Sequence, residues 1–235
     1  MNKPDTSLSS KAATAEKRTA IEVVQEKLRE RIVAGEAKPG ERLHVQNLRE
    51  EFGVSTSTVR EAISRLLIDS LVVSEQQRGF RVAPLSLKDF RDITDTRKII
   101  EAHALRESLK ARTEEWEAEL VGAYHRLNIV EQKLIGEGQR DLAPDWDLRN
   151  EHFHDCLVKN CNNDWLIRFR RTLHQHSYRY HRMIIGDTNF RRDVRVEHKF
   201  IFDSALNGEI DACISAIEEH IETSYLAMIA KNVLS

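Results

Sequence analysis

The stretch from Pro39 to Leu67, PGERLHVQNLREEFGVSTSTVREAISRLL, leaves a chain little freedom in how it can fold. Leu48 and Phe52 give a short helix an apolar side, and Gly53 is placed to end it. Val54 plugs the turn and Ser55 caps a second helix. In that helix Val59, Ile63, Leu66 and Leu67 recur at helical spacing and bury one face. The opposite face carries Thr56, Ser57, Thr58 and Arg60, hydroxyl and guanidinium donors near a helix N-terminus. Backbone N–H groups there can meet a phosphate while neighbouring side chains reach base edges. Two helices joined this way form a helix-turn-helix, so duplex DNA is the first partner the sequence suggests.

The flanks complete a module. Residues 1–16 are rich in Ser, Thr, Ala and Lys without periodicity and read as a disordered leader. From Thr19 to Ala34 a helix is expected, with Ile21, Val24, Leu28 and Ile32 as its buried stripe and Gly35 closing it. Pro39-Gly40 marks a turn. Leu71-Val72-Val73 and Phe80-Arg81-Val82 are short β-branched or aromatic runs on either side of a polar tip, 75–79. A hairpin there adds a wing whose tip carries Arg78 and Gly79. Residues 17–84 thus read as a winged helix-turn-helix domain.

Pro84 breaks the chain, and Ser86 with Asp89 resembles a capping box opening the next element. Beyond it only helical periodicity is present. Helices are expected over 87–111, 114–135, 144–160, 164–185, 190–206 and 209–230. The fold class is therefore mainly α: a winged helix-turn-helix followed by an all-α bundle over 85–235, the expected effector-binding and dimerisation domain.

Charge sets limits on the DNA reading. The chain has 36 Lys and Arg against 38 Asp and Glu. Residues 1–85 hold 14 basic and 12 acidic side chains, and the remainder 22 and 26. So weak a contrast means that DNA affinity comes from local placement of charge and from dimerisation, not from a basic field. Cys156, Cys161 and Cys213 form no CxxC pair and suit reduced thiols in a core. No apolar run approaches membrane-spanning length, and a cytoplasmic protein is expected.

Several histidines form a second signal. His154 follows Asn150 by four residues, so both lie on one helix face. His198 and His220 lie in the last two helices among apolar neighbours. Three imidazoles and an amide oxygen suit a divalent transition metal in a bundle core, Zn²⁺, Ni²⁺ or Mn²⁺. Equally, an interior histidine is commonly a hydrogen-bonded core residue. His176 falls on the inner seam of its helix, where it can face a cavity and contact an effector. Sequence patterns for metalloproteases, serine hydrolases, P-loops and dinucleotide sites are all missing, so no catalytic residues are expected and an enzyme reading has only the metal to rest on.

These residues carry a resemblance. LRERIVAGEAKPGERL, GVSTSTVREAISRLL and RGFRV resemble the N-terminal domain of GntR-family bacterial transcription regulators. RKIIE at 97–101, N-x-x-FH at 150–154 and EHKFIFDSALNGEIDACISAIEEHI at 197–221 resemble the helical ligand-binding domain of the FadR subgroup, called FCD. The resemblance implies metal ligands at Asn150, His154, His198 and His220. It also implies a recognition helix beginning S-R-T/S-P-V-R, whereas here Thr56 replaces the arginine and Thr58 the proline. Bidentate reading of guanine is lost at that position, so the family's usual operator core is not expected. An amide ligand in place of Asp weakens metal affinity and raises the site's net charge, favouring an anionic effector. EEWEAEL at 114–120 and PDWDLRNEHFH at 144–154 are similar to a branch containing a glutarate-responsive, carbon-starvation-related repressor, which implies a dicarboxylate effector class.

The combined expectation is a homodimeric, ligand-responsive repressor on a pseudo-palindromic operator. Its helical domain binds a metal and a small carboxylate paired with an arginine. Arg97 is one candidate for that pairing, and a salt bridge to Glu101 is its alternative role. Two rival readings remain at this level: a sensor of metal alone, and a metal-dependent enzyme tethered to DNA.

Overall fold

In the computed structural model residues 18–75, 79–185 and 193–231 are described. The first helix, α1 (Ala20–Val33), owes its start to a reciprocal cap. Thr19 Oγ1 accepts the Glu22 N–H at 3.3 Å, and Glu22 Oε2 accepts the Thr19 N–H at 2.8 Å. Such a cap stabilises a helix by about 1 kcal/mol. Val24, Leu28 and Ile32 are buried as the spacing requires.

Next come β1 (Arg42–Leu43), α2 (Val45–Phe52), α3 (Thr56–Ile68), β2 (Val72–Glu75) and β3 (Gly79–Val82). Gly53 ends α2 in the left-handed conformation, φ +62°. Beta strands 2 and 3 form the expected hairpin, and β1 adds antiparallel to β3 in the order β1-β3-β2. Two residues are too few to announce a strand by alternation, so β1 is absent from the sequence reading. The turn before it is held by tertiary contacts, Gly40 N–H to Val82 O at 3.0 Å and Arg81 Nη1 to Gly40 O at 3.1 Å.

The second half consists of α4 (Leu87–Lys110), α5 (Glu114–Glu131), α6 (Ala143–Leu157), α7 (Asp164–Ile185), α8 (Val194–Asn207) and α9 (Ile210–Lys231). The helical stretch expected over 114–135 is present, with π geometry in place of α from Gln132 to Gly136. Ser86 Oγ caps α4 through the Asp89 N–H at 3.1 Å, but the capping box does not close on itself. The Ser86 N–H donates to Tyr180 Oη at 3.2 Å, and that hydroxyl donates to Asp89 Oδ2 at 2.5 Å. A side chain from α7 thus stands between the two halves of the box.

Buried apolar side chains form one core within residues 24–82 and a larger one within 104–221. Phe90, Ile93, Tyr180 and Met228 form a small third cluster beside the connection at 83–86, with Phe90 stacked on Tyr180 at 4.3 Å. The leader, the wing-tip residues 76–78 and residues 186–192, including the start of the helix expected at 190, lie outside the described residues. No described helix is long and apolar enough to cross a membrane.

Candidate functional site

Helix α3 presents its polar N-terminal face to solvent. Ser55 Oγ accepts the Thr58 N–H at 3.1 Å and lies 2.7 Å from Ser57 Oγ and 2.8 Å from Thr58 Oγ1. The hydroxyls of Ser57 and Thr58 are thus tied into the cap. Thr56 and Arg60 are exposed on the same turn, while Val59 and Ile63 are fully buried beneath them. Of the expected DNA-contacting set, Thr56 and Arg60 are the side chains left to reach outward. Gly79 opens β3 with φ +92°, and Arg78 lies outside the described residues.

The bundle brings three of the singled-out histidines together. Ligand-capable atoms of His154 from α6, His198 from α8 and His220 from α9 all lie within 4.8 Å of one another. Their ring centroids are 4.9 to 5.3 Å apart. Asn150, one turn before His154, has a buried Oδ1 without a hydrogen-bond partner, and so have His154 Nε2 and His198 Nε2. Unpaired polar atoms are costly in a core, and their clustering needs a cause. Burial, followed by the neighbouring His220 and His198, pushes the His154 pKa well below its usual value. The ring is held neutral, the form in which imidazole binds a cation. Three imidazole nitrogens and an amide oxygen fit a divalent transition metal.

Two carboxylates behind this set are absent from the sequence reading. Glu131 Oε1 lies 2.7 Å from His198 Nδ1, and Glu197 Oε2 lies 2.7 Å from His220 Nδ1. A carboxylate on Nδ1 fixes that nitrogen as the donor and directs the Nε2 lone pair the other way. Both carboxylates stand one hydrogen bond behind an imidazole, outside the set of ligand-capable atoms. The signal for Glu131 was present, an acid continuing the buried stripe of Leu120 and Leu127 on α5.

Beside the histidines lies a buried ionic network. Arg97 Nη2 donates to Glu101 Oε1 at 3.3 Å and Nη1 to Ser177 Oγ at 2.9 Å, while its Nε is buried without a partner. Arg170 Nε donates to Glu101 Oε2 at 2.7 Å, and its Nη1 pairs with Asp155. Arg97 therefore has the structural salt bridge, with its Nε–H left over. Burial and the charges of Arg97 and Arg170 push the His174 pKa down to about 3. Of the two acids an enzyme reading would need as a base, Asp155 and Glu151, neither on the face of His154, Asp155 is paired with Arg170.

His176 is placed elsewhere than expected. Instead of facing a cavity, its Nε2 lies 2.8 Å from the Asp69 carbonyl, at the end of α3. It is one of several α7 side chains that grip the N-terminal domain. Arg182 Nε donates to Ala34 O at 3.3 Å, Gln175 Oε1 accepts from Arg29 at 3.2 Å, and Arg179 donates to Ala83 O. Arg182 also pairs at 3.1 Å with Asp147, one turn before Asn150. Seam position alone could not separate a cavity from a domain contact, because both bury the same face.

The comparisons with known proteins agree with this architecture. A family model for bacterial regulatory proteins, gntR family, matches residues 20–82, and one for the FCD domain matches residues 92–223. The uncharacterized HTH-type transcriptional regulator BphR of Paraburkholderia xenovorans (strain LB400) is 37% identical over 207 residues, 88% of this chain and 84% of that protein. The HTH-type transcriptional repressor GlaR of Escherichia coli (strain K12) is 27% identical over 200 residues, 83% of this chain and 90% of its own. Among solved structures, E. coli McbR/YncC has a TM-score of 0.75 at 19% identity, over 92% of this chain and 99% of that one, which speaks to the fold. These relatives are transcription regulators, not enzymes. A DNA-reading helix in front of a histidine-lined bundle, matched along most of its length, thus belongs to the GntR family of bacterial transcription regulators, in its FCD-containing form.

Proposed function

We propose that this regulator is a ligand-responsive repressor whose helical domain holds a divalent metal ion, Zn²⁺, Ni²⁺ or Mn²⁺, on Asn150, His154, His198 and His220. The observation that carries the reading is the convergence of three imidazoles within 4.8 Å, with unpaired buried atoms on Asn150, His154 and His198. When bound, the metal supplies a Lewis-acidic centre with positions open to an oxygen ligand. A small carboxylate, such as a dicarboxylate, completes that coordination. The spare buried N–H of Arg97 favours an anion, and the network with Glu101 and Arg170 holds that arginine in place. Similarity to the repressor GlaR favours repression over activation.

On DNA, two copies of the chain place Thr56 and Arg60 in successive major grooves of a pseudo-palindromic operator, about 34 Å apart. Ser57 and Thr58 hold the helix terminus in shape for phosphate contact, and Arg78 and Gly79 contact the neighbouring minor groove or backbone. Effector binding acts on this spacing through α7. One face of that helix carries Arg170 and Ser177 into the ionic network, and another holds Ala34, Asp69 and Ala83. A ligand that prefers one position of α7 shifts the population of reader orientations.

Elemental analysis of the purified full chain, wild type against His198→Ala, tests the metal centre. Stoichiometric metal lost in the variant supports it; equal metal in both removes the site. A thermal-shift screen of dicarboxylates and sugar acids, with and without chelator, tests the effector. A shift abolished by chelator supports a metal-bound carboxylate. Release of DNA by metal alone, without any carboxylate, would mean that the metal itself is the signal.

A further inference from the structure

Glu131 is the last residue of α5 and is 1% exposed. Its Oε1 takes the Trp146 Nε1–H at 3.1 Å and lies 2.7 Å from His198 Nδ1, while its Oε2 is buried with no partner. A carboxylate that only filled a hole in the core would be better replaced by an amide or an apolar group, since its charge is costly to bury. Directly after it the helix widens into the π turn Gln132–Gly136, a distortion that often marks functional positions. Trp146 stands four residues before Asn150 on α6, so the bond to Glu131 also braces the helix that supplies two of the four ligands.

We infer that Glu131 is a positioning residue of the metal centre, which fixes the His198 Nε2 lone pair towards the metal and supplies, one hydrogen bond back, a negative charge that Asn150 lacks. The inference rests on the metal reading given above. Asp at position 150 would offset one of a dication's two charges directly. With an amide there, the charge has to come from behind a ligand, and a carboxylate hydrogen-bonded to an imidazole makes that ring a stronger donor.

The test separates charge from shape. Glu131→Gln keeps an acceptor oxygen for His198 and Trp146 and removes the charge. Zn²⁺ affinity is measured on the full chain by competition with a chromophoric chelator, together with the melting temperature of the metal-free protein. Glu131→Gln is expected to bind Zn²⁺ roughly 10- to 100-fold more weakly, in the range typical of lost outer-shell partners. Adding Asn150→Asp to that variant restores most of the loss, a rescue that a merely structural glutamate would not permit. Wild-type Zn²⁺ affinity in a folded Glu131→Gln protein overturns the inference and leaves the metal site standing. A wild-type chain that binds no Zn²⁺, Ni²⁺ or Mn²⁺ overturns both. Should Glu131→Gln not fold, ¹⁵N NMR of the metal-free wild type decides. The hydrogen of His198 is expected on Nδ1, and a hydrogen on Nε2 with Nδ1 bare refutes the proposed role.

Discussion

Replacing Glu101 with Gln should destabilise the helical domain by about 3 kcal/mol at neutral pH, within the range seen when one partner of a buried pair is removed. Glu101 sits between two arginines, 3.3 Å from Arg97 and 2.7 Å from Arg170, and the three side chains are 5 to 10% exposed. A charge pair about 4 Å apart at an effective dielectric near 20 is worth about 4 kcal/mol before desolvation is counted. The variant leaves Arg170 its charged partner Asp155, but Arg97 keeps only neutral partners, the Ser177 hydroxyl and at most one amide oxygen. That residual pairing places the loss at the lower end of the range. Against a typical total of roughly 5–15 kcal/mol the effect is large.

The pH dependence has a definite sign. Burial alone would raise the Glu101 pKa, but the charges of Arg170 and Arg97 outweigh it and hold the carboxyl below its ordinary range. A depressed folded pKa gives stability that is complete above the unfolded value, about 4.3, and is lost as pH falls through the folded value. Urea unfolding followed by far-UV circular dichroism should show the full gap between wild type and Glu101→Gln at pH 7 and a shrinking gap on acidification below about pH 4. A difference under about 1 kcal/mol at pH 7, or one that grows with acid, would refute the assignment of this carboxylate as the ionised centre of the network.

Two smaller perturbations probe the junction and the reader. Tyr180→Phe keeps the stack on Phe90 but removes the hydroxyl between Ser86 and Asp89, and should cost about 2 kcal/mol in chemical denaturation; no loss would mean that water replaces the bridge. Gly53→Ala meets no neighbouring atom at its new Cβ, so its expected cost of about 1–2 kcal/mol comes from the left-handed φ alone, and a variant as stable as wild type would show that the turn relaxes.

What the sequence determined is what depends on near neighbours. The stop at Gly53 follows from the conformational freedom of one residue. The cap at Ser55 and the buried stripe of Val59, Ile63 and Leu66 follow from residues three or four apart, because a helix brings such residues together whatever surrounds it. Asn150 and His154 share a face for the same reason. A two-residue strand such as β1 is too short to leave a periodic trace, so only its pairing with β3 defines it.

The tertiary structure decided which surface each buried polar side chain meets. Glu131 reaches His198 across 67 residues of chain, and His176 reaches Asp69 across 107. Periodicity marks a residue as inward-facing and is silent about what lies opposite. A buried acid behind a histidine and a buried acid in an ion pair therefore have the same pattern, as do a cavity histidine and a domain-contact histidine. Helix packing alone separates them, since a hydrogen bond needs its partners within about 3 Å and only the assembled bundle sets that distance.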